Sequence, residues 1–401
     1  MMDAVGNDSE YAGALRAGLV AILTEQGALS TDPVAAAFGQ VPRHVFVPDV
    51  SVETAYADDV VLMKQNAAGV AISSVSQPSI VALMLEQAGV EPGHRVLEIG
   101  SGGYNAALLW ELAKPGGEVT TIDIDPDVTE RASATLTTAG YDAVEVVRTD
   151  GIAAWPPNAP YDRIVVTVTA GDIAPAWLEQ LAPGGRIVVP LRVRGQTRSL
   201  ALDLQTDGSL RSRSSVICGF VSMQGVGAGH EHVVPVAGED VVLRMDADQT
   251  IDPPTLDGRA FVRWTRVLLD REEPFCQLDL WLASVFEEYC VMSASSTAVK
   301  KRLVRPTLRW GGAAVVRDGT LAYLTSQPGP ARNLLEIGVR AHGPAAVPLA
   351  EAVAEQIRVW DAVRRGNPDP VFLVHPAGTT DLPPGQHFRT KNCVVTPIWT
   401  P

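Results

Sequence analysis

The 401-residue sequence has little that would tie it to a membrane, a metal or a nucleic acid. No apolar run is long enough to span a bilayer. The first residues, MMDAVGNDSEYAGALRAG, have neither the basic start nor the apolar core of a signal peptide, so a cytoplasmic protein is expected. Cysteine is scarce. Cys218, Cys276, Cys290 and Cys393 are scattered, with no pair at CxxC spacing, which argues against a zinc ribbon and a disulfide framework. Cys276 and Cys290 have no evident histidine partner that would make a thiolate nucleophile. GHEH at Gly229–His232 lacks a third ligand positioned by sequence, so no metal is expected and a solvated loop is the reading there. Positive charge is also short. Against 46 Asp and Glu there are 32 Lys and Arg, a net charge of −14 that repels phosphate backbones. Nucleic acid is not an expected partner, whereas a neutral or basic peptide is tolerated. No internal repeat occurs. A second LEIG, at Leu335–Gly338, is followed by VRAHG rather than a glycine loop and reads as an unrelated strand.

What is present is a core-forming chain, 46% hydrophobic, with a strand–helix rhythm. Residues 9–29 carry a helical pattern through Tyr11, Leu15, Leu19, Ile22 and Leu23. VPRHVFVPD (Val41–Asp49) is a proline-bracketed turn in which His44 is structural. SQPSIVALMLEQAGV (Ser76–Val90) is a helix with Ser76 as a cap, Pro78 in the first turn and Gly89 at its end. Alternation follows: strand HRVLEIG, helix NAALLWELA, strand EVTTIDI (Glu118–Ile124), and helix PDVTERASATLTTAG closed by Gly140. Strand AVEVVRT leads to Asp150. Then come strand DRIVVTVT (Asp162–Thr169), helix PAWLEQLAPGG closed by Gly184, strand RIVVPLRV and an antiparallel edge SLALDLQ (Ser199–Gln205). Continuous apolar strands alternating with helices mean a parallel sheet covered on both faces, an α/β Rossmann-like fold. After about residue 235 the rhythm breaks into proline-rich, acidic and mixed segments. The expected layout is an N-terminal helical, substrate-side segment at 1–75, a cofactor-binding domain at 76–235 and an additional C-terminal α+β domain at 236–401.

The stretch VLEIGSGGYNAALL (Val96–Leu109) runs from a buried strand through a glycine turn into a helix. Glu98 precedes the turn, Asp123 ends the next strand about 20 residues on, and Asp150 ends the third. An acid at the second strand accepts both ribose hydroxyls, with Ile124 beside it. An acid at the third, with Gly151 following, accepts from an adenine amino group. Gly100, Gly102 and Gly103 let the backbone approach a ligand closely. GSGGYN lacks the GxGxxG spacing that places a pyrophosphate on a helix N-terminus. It suits S-adenosylmethionine, which has no phosphate. A plain doubly wound domain with a glycine turn is the bland alternative.

From about Val41 to Gly229 the chain resembles the protein-L-isoaspartate O-methyltransferase family. The matching segments, in order, are VPRHVFVP, AYAD (Ala55–Asp58), Ser76-Gln77-Pro78, RVLEIGSG, GYNAALL, Asp150-Gly151, YDRIVVT and LAPGGRIVVPL. The resemblance implies a carboxyl O-methyltransferase. It implies further that the Ser76 hydroxyl lies beside the reacting carboxylate, and that Gly100, Ser101 and Gly102 form the cofactor loop. Asp123 then holds ribose, Asp150 lies beside adenine, and Thr167 sits where the fourth strand meets the active site. Two departures stand out. GSGGY is one residue shorter than the family's GTGSGY, and NAAGVAISSVSQP replaces GQTISQP, with Ser74 in place of threonine.

A carboxylate acceptor is ionised at neutral pH and needs no strong base, so catalysis rests on alignment and exclusion of water. Its methyl ester can lose methanol to a neighbouring backbone amide, giving an aspartimide that hydrolyses to Asp or isoAsp. The shortened loop, GYNAALL, DIDPD and the long extension look similar to family members encoded with lanthipeptides. That likeness implies a ribosomally made precursor peptide as substrate and the extension as its recognition element. Repair of isoaspartyl-containing proteins, and a non-catalytic binding module, are the alternatives.

Overall fold

The computed structural model describes residues 2–67, 69–227, 231–256 and 259–399, with side chains from residue 10 onward. Gly229 and His230 of the GHEH segment lie outside the described residues. Residues 1–191 with 197–229 form one compact unit, and 192–196 with 230–401 form another.

The first unit begins with helices α1 (Met2–Glu25), α2 (Asp32–Gln40), α3 (Arg43–Phe46) and α4 (Val52–Ala55). The VPRHVFVP segment is therefore a single helical turn rather than an irregular one. An antiparallel hairpin follows, β1 (Val61–Gln65) and β2 (Ala71–Val75). It leads into α5 (Pro78–Ala88), β3 (Arg95–Ile99), α6 (Tyr104–Ala113), β4 (Glu118–Asp123), α7 (Pro126–Ala139) and β5 (Glu145–Arg148). Then come β6 (Tyr161–Val166), α8 (Pro175–Glu179), β7 (Leu181–Val193), β8 (Gln196–Leu204) and β9 (Leu210–Ile217). Within this unit the sheet runs β9-β8-β7-β6-β3-β4-β5. The pairs β3–β4, β3–β6, β4–β5 and β6–β7 are parallel, and β8–β9 is antiparallel.

The chain thus lays strands outward from β3 in one direction and then returns to β3's other side with β6. That reversal opens a crevice at the carboxyl ends of β3 and β6, where doubly wound sheets take ligands. Strand β3 is buried from Val96 to Ile99, as a strand covered on both faces must be, and Glu98 is carried into the interior with its apolar neighbours. Gly89 and Gly140 end α5 and α7 in the left-handed conformation, at φ of 54° and 83°, and satisfy the last carbonyls through their N–H groups.

Three expectations about local structure need correction. The helix PAWLEQLAPGG stops at Glu179. Leu181 already pairs with Tyr161 of β6, and the LAPGG run is the irregular start of β7, with a register shift before Arg186. SLALDLQ is antiparallel but internal, flanked by β7 and β9, and Leu200–Leu202 are buried. Ser76 does not cap α5. The capping residue is Gln77, whose own side chain makes no capping bond. The work is done from a distance by Asp58 of AYAD, which accepts from the Ser79 N–H at 2.9 Å and from Gln77 Nε2 at 3.2 Å.

The second unit is mixed α and β. Its strands are β10 (Glu231–Pro235), β11 (Val241–Asp246), β12 (Phe261–Asp270), β13 (Tyr289–Ala294), β14 (Gly312–Arg317), β15 (Thr320–Pro328) and β16 (Leu334–His342). They form an antiparallel sheet in the order β10-β11-β13-β14-β15-β16-β12. The second LEIG lies in β16, a strand as expected. Helices α9 (Cys276–Val285), α10 (Ser296–Lys300) and α11 (Ala346–Val363) accompany the sheet, with β17 (Val371–Pro376), β18 (Phe388–Arg389) and β19 (Cys393–Ile398). One face closes on Leu243, Met245, Met292, Leu321 and Tyr323.

A carboxylate cap carried by another segment is worth about 1 kcal/mol. Asp58→Ala is expected to lower unfolding stability by about that amount in urea titrations, whereas Ser76→Ala leaves it within about 0.5 kcal/mol.

Candidate cofactor and acceptor site

At the end of β3 the chain must turn sharply, and Gly100 does so at φ 101°. A Cβ on Gly100 would lie 2.6 Å from Thr167 Oγ1 and 3.0 Å from Val168 Cγ1, so both conformation and space demand glycine here. Thr167, at the end of β6, fixes the turn from one side: its N–H donates to the Ile99 carbonyl (2.8 Å) and its hydroxyl to that of Gly100 (2.6 Å). Asp123, at the end of β4, fixes it from the other, accepting from the Ser101 N–H at 3.2 Å and the Asp125 N–H at 2.8 Å. Gly103, at φ 81°, starts α6, and a Cβ there would meet the Phe46 ring at 3.0 Å. Gly102 is not crowded in this way; the nearest atom to an added Cβ is Val75 Cγ2 at 4.0 Å.

Glu98 is wholly buried below the turn. Asn105 Nδ2 donates to its Oε1 (2.8 Å) and the Thr121 hydroxyl to its Oε2 (2.5 Å). Thr121 faces it because the parallel register pairs Glu98 with Thr121. Burial pushes the Glu98 carboxyl up to about 7; the two hydrogen bonds oppose this, and the nearby Asp123 charge adds to it. Asp123 is also held above the usual carboxylate range, chiefly by burial and against the pull of the backbone amides of Asp125 and Ser101.

Two cavities meet at Gly100 and Asp123. The first is lined by Ser74, Ser76, Glu98, Ser101, Gly102 and Thr167 among others, with the hairpin strand β2 and Phe220 across from the turn. The second continues past Asp123 along Ile124, Gly151, Met223 and Gln224. Gly151 belongs there sterically, since a Cβ would come within 2.6 Å of Ile99 Cγ2. Asp150 lines neither cavity. Its carboxylate accepts from the Ile152 N–H (3.1 Å) and the Val226 N–H (3.3 Å), closing the segment around Gly225 onto the β5 end. The cavities therefore bring together Ser76, Glu98, Gly100, Ser101, Gly102, Asp123, Ile124, Gly151 and Thr167 and leave Asp150 beside them.

The residues fit S-adenosylmethionine. The Ser101 hydroxyl is buried on the cavity wall and lacks a partner among the described residues, a cost that a polar ligand removes. Asp123 keeps acceptor capacity at the junction of the two cavities. Among the described residues lining them there is no Lys or Arg to meet a phosphate. The Ser76 hydroxyl makes no hydrogen bond among the described residues, while the Ser76 carbonyl accepts from Arg43 Nη2 at 3.0 Å. Arg43 of VPRH is the residue the sequence reading passed over. It is fully buried, donates also to the carbonyls of Ala55 (2.8 Å) and Asp59 (3.4 Å), and lies 4.9 Å over the Tyr104 ring. It ties the loop before α5 to the helix after the glycine turn. His44 bonds the Tyr56 hydroxyl at 2.8 Å and is structural. A further missed element is the hairpin tie, Lys64 to Asp125 (2.6 Å) and Asp127 (2.7 Å) at the start of α7.

A glycine turn clamped between β4 and β6, leading along an acid-bearing crevice whose described lining residues include no Lys or Arg, defines a Rossmann-like methyltransferase that uses S-adenosylmethionine. The family model described as protein-L-isoaspartate(D-aspartate) O-methyltransferase matches residues 15–227. The chain belongs to this family, and with it to the carboxyl O-methyltransferases. A protein-L-isoaspartate O-methyltransferase of Methanopyrus kandleri is 39% identical over 212 residues, 52% of this chain and 91% of the relative. One of Hyperthermus butylicus is 37% identical over 227 residues, 54% of this chain and 92% of the relative. A solved structure titled protein-L-isoaspartate O-methyltransferase aligns with 89% of this chain and 96% of its own, at a TM-score of 0.50 and 23% identity, so a similar fold extends over both units.

Two outcomes are expected. Gly100→Ala lowers S-adenosylhomocysteine affinity by roughly tenfold or more in isothermal titration, because the turn must move off Thr167. The second concerns pH. A carboxyl that is harder to ionise when folded gives the native state more bound protons than the unfolded state between its ordinary value and about 7. Stability therefore falls as pH rises through that window, by a weight on the order of 3 kcal/mol. Glu98→Gln in the cofactor-free protein is expected to flatten that fall in urea unfolding measured at several pH values.

Proposed function

We propose that the chain transfers a methyl group to the free carboxylate of isoaspartyl residues in polypeptides. The observation that carries this is the chemistry of the first cavity. Its titratable side chains among the described residues are Glu98, Tyr104 and Asp123. Glu98 is held by Asn105 of α6 and Thr121 of β4, Asp123 holds the turn and keeps its remaining acceptor capacity for the cofactor, and burial raises the Tyr104 hydroxyl well above its ordinary range. No histidine, lysine or cysteine is among those residues to act as a base. An acceptor that enters already ionised needs none, and a carboxylate is such an acceptor at neutral pH. The family relationship and the relatives' names support the isoaspartyl form of that carboxylate.

When bound, S-adenosylmethionine supplies an electrophilic methyl group. The chain's part is positioning. Ser76, its backbone held by Arg43, offers its hydroxyl to one acceptor oxygen, leaving the other aimed at the methyl carbon. Strand β2 and Phe220, which line the cavity, keep water from the reacting pair. The ester then activates its carbonyl: the following backbone nitrogen attacks it, methanol leaves, and the resulting succinimide is opened by water to Asp or isoAsp.

A narrower reading has an ordinary Asp in a ribosomally made, lanthipeptide-like precursor as acceptor, with aspartimide or isoaspartate as the outcome. It is supported by the shortened GSGGYN turn and the altered NAAGVAISSVSQP stretch. The added C-terminal unit supports it less, since a structure titled as the isoaspartate enzyme aligns over both units. A cytoplasmic setting goes with either reading. It is supported by four cysteines that form no disulfide and by the lack of a membrane-crossing helix among the described residues.

Mass spectrometry of a linear isoaspartyl peptide and its Asp counterpart, each with S-adenosylmethionine, tests the proposal. Methyl gain followed by methanol loss on the isoaspartyl peptide alone is expected. Methylation confined to a constrained Asp precursor would favour the narrower reading, and methylation of neither would overturn the activity. In Ser76→Ala, kcat is expected to fall by about one order of magnitude with S-adenosylhomocysteine affinity unchanged.

A further inference from the structure

The second unit carries a patch whose charge runs against that of the chain. From Tyr289 to Arg317 there are six Lys or Arg and no Asp or Glu, in a protein of net charge −14. Arg317 is neutralised by a two-pronged pair with Glu288, at 2.7 and 3.0 Å. The other five, Lys300, Lys301, Arg302, Arg305 and Arg309, are exposed, and none forms an ion pair among the described residues.

Their backbone is held firmly. Helix α10 closes with Leu303 N–H on the Ala298 carbonyl (3.0 Å), and Val304 is fully buried as an anchor. Beyond it the chain is stitched to β15: Arg305 N–H donates to the Tyr323 hydroxyl (3.1 Å), the Thr325 hydroxyl to the Arg305 carbonyl (2.7 Å), and Thr307 N–H to the Leu324 carbonyl (3.0 Å). The Arg309 carbonyl accepts from Ala294 N–H at 2.7 Å, next to β14. These backbone groups are spent on the frame, and the five cationic side chains are left to solvent. Trp310, the residue after Arg309, is 73% exposed. A large aromatic next to unpaired arginines is the composition of a binding hot spot rather than of a solvated rim.

We propose that this face docks an acidic segment of the polypeptide acceptor. The proposal rests on the acceptor being a polypeptide, and it departs from the expectation from net charge, by which a neutral or basic peptide is tolerated. Charge complementarity selects an anion. The strong overall negative charge selects a short one, since a polyanion longer than the patch runs onto repulsive surface. An acceptor held here meets the reaction at a raised effective concentration, so docking lowers KM rather than raising kcat.

The test is fluorescence polarisation of a labelled oligo-glutamate peptide with the full chain at about 50 mM and about 500 mM salt. The comparison is a variant carrying Lys300→Glu, Lys301→Glu and Arg302→Glu, with S-adenosylhomocysteine titration as the check that it folds. Binding at low salt, weakened roughly tenfold or more by salt and by the variant, is expected. In parallel, an isoaspartyl peptide with an acidic flank should show a lower KM than one with a neutral flank, and the variant should erase the difference at unchanged kcat. Equal binding by the variant overturns the proposal, as does tighter binding of a mixed-sequence single-stranded oligonucleotide, which would assign the patch to nucleic acid. The glutamate peptide carries no isoaspartate and its binding needs no turnover. Failure here therefore leaves the methylation reading standing, and failure of methylation leaves the docking result readable.

Discussion

The structure of the site depends on one crowded junction, where the carbonyl of Gly100 receives the Thr167 hydroxyl and the next N–H, that of Ser101, enters the Asp123 carboxylate. Three parallel strands contribute to it, and the room for it exists only because residue 100 has no side chain. A turn fixed from both neighbouring strands is preorganised. It presents Ser101, Glu98 and Asp123 to the crevice in one arrangement before any ligand arrives. The buried carboxyl of Glu98 costs stability at neutral pH, a burden characteristic of functional rather than purely structural positions.

Around this junction the acceptor side is assembled by a second, independent device. Arg43 gathers the carbonyls of Ala55, Asp59 and Ser76 and covers the ring of Tyr104, while Phe46 fills the space left by Gly103. A guanidinium with several rigid donors can join backbone segments that share no secondary structure. Asp58 does the same for α5 with its two oxygens. The hydroxyl of Ser76 is left over once capping has been supplied from elsewhere, which leaves it free for the role proposed for it.

Much of this was legible in the residues. Unbroken apolar strands between amphipathic helices identify a parallel sheet, and terminal glycines such as Gly89 and Gly140 mark where helices stop, because both signals are local. The glycine turn and the acid at Asp123 could be found because their spacing follows from one strand–turn–helix unit and its neighbour. What stayed hidden is non-local. Asp58 capping Ser79, Arg43 reaching Ser76, Thr121 facing Glu98 and Lys64 reaching Asp125 join residues far apart in sequence, and no period or motif announces them. The end of α8 was misjudged because LEQLA has good helical composition and Gly184 was taken as its stop, yet pairing of Leu181 with Tyr161 outweighs that preference. The basic patch was masked for another reason: a net charge sums the whole chain and conceals a local reversal.

We propose that the two cavities are one cofactor and acceptor site with Gly100 and Asp123 at the joint. A crystal structure of the chain with S-adenosylhomocysteine tests it most directly. Ribose hydroxyls on the Asp123 carboxylate, the adenine between Ile124 and Met223, and the thioether sulfur facing the cavity that holds the Ser76 hydroxyl are expected. A nucleoside bound away from Asp123, or a sulfur turned from Ser76, would contradict it.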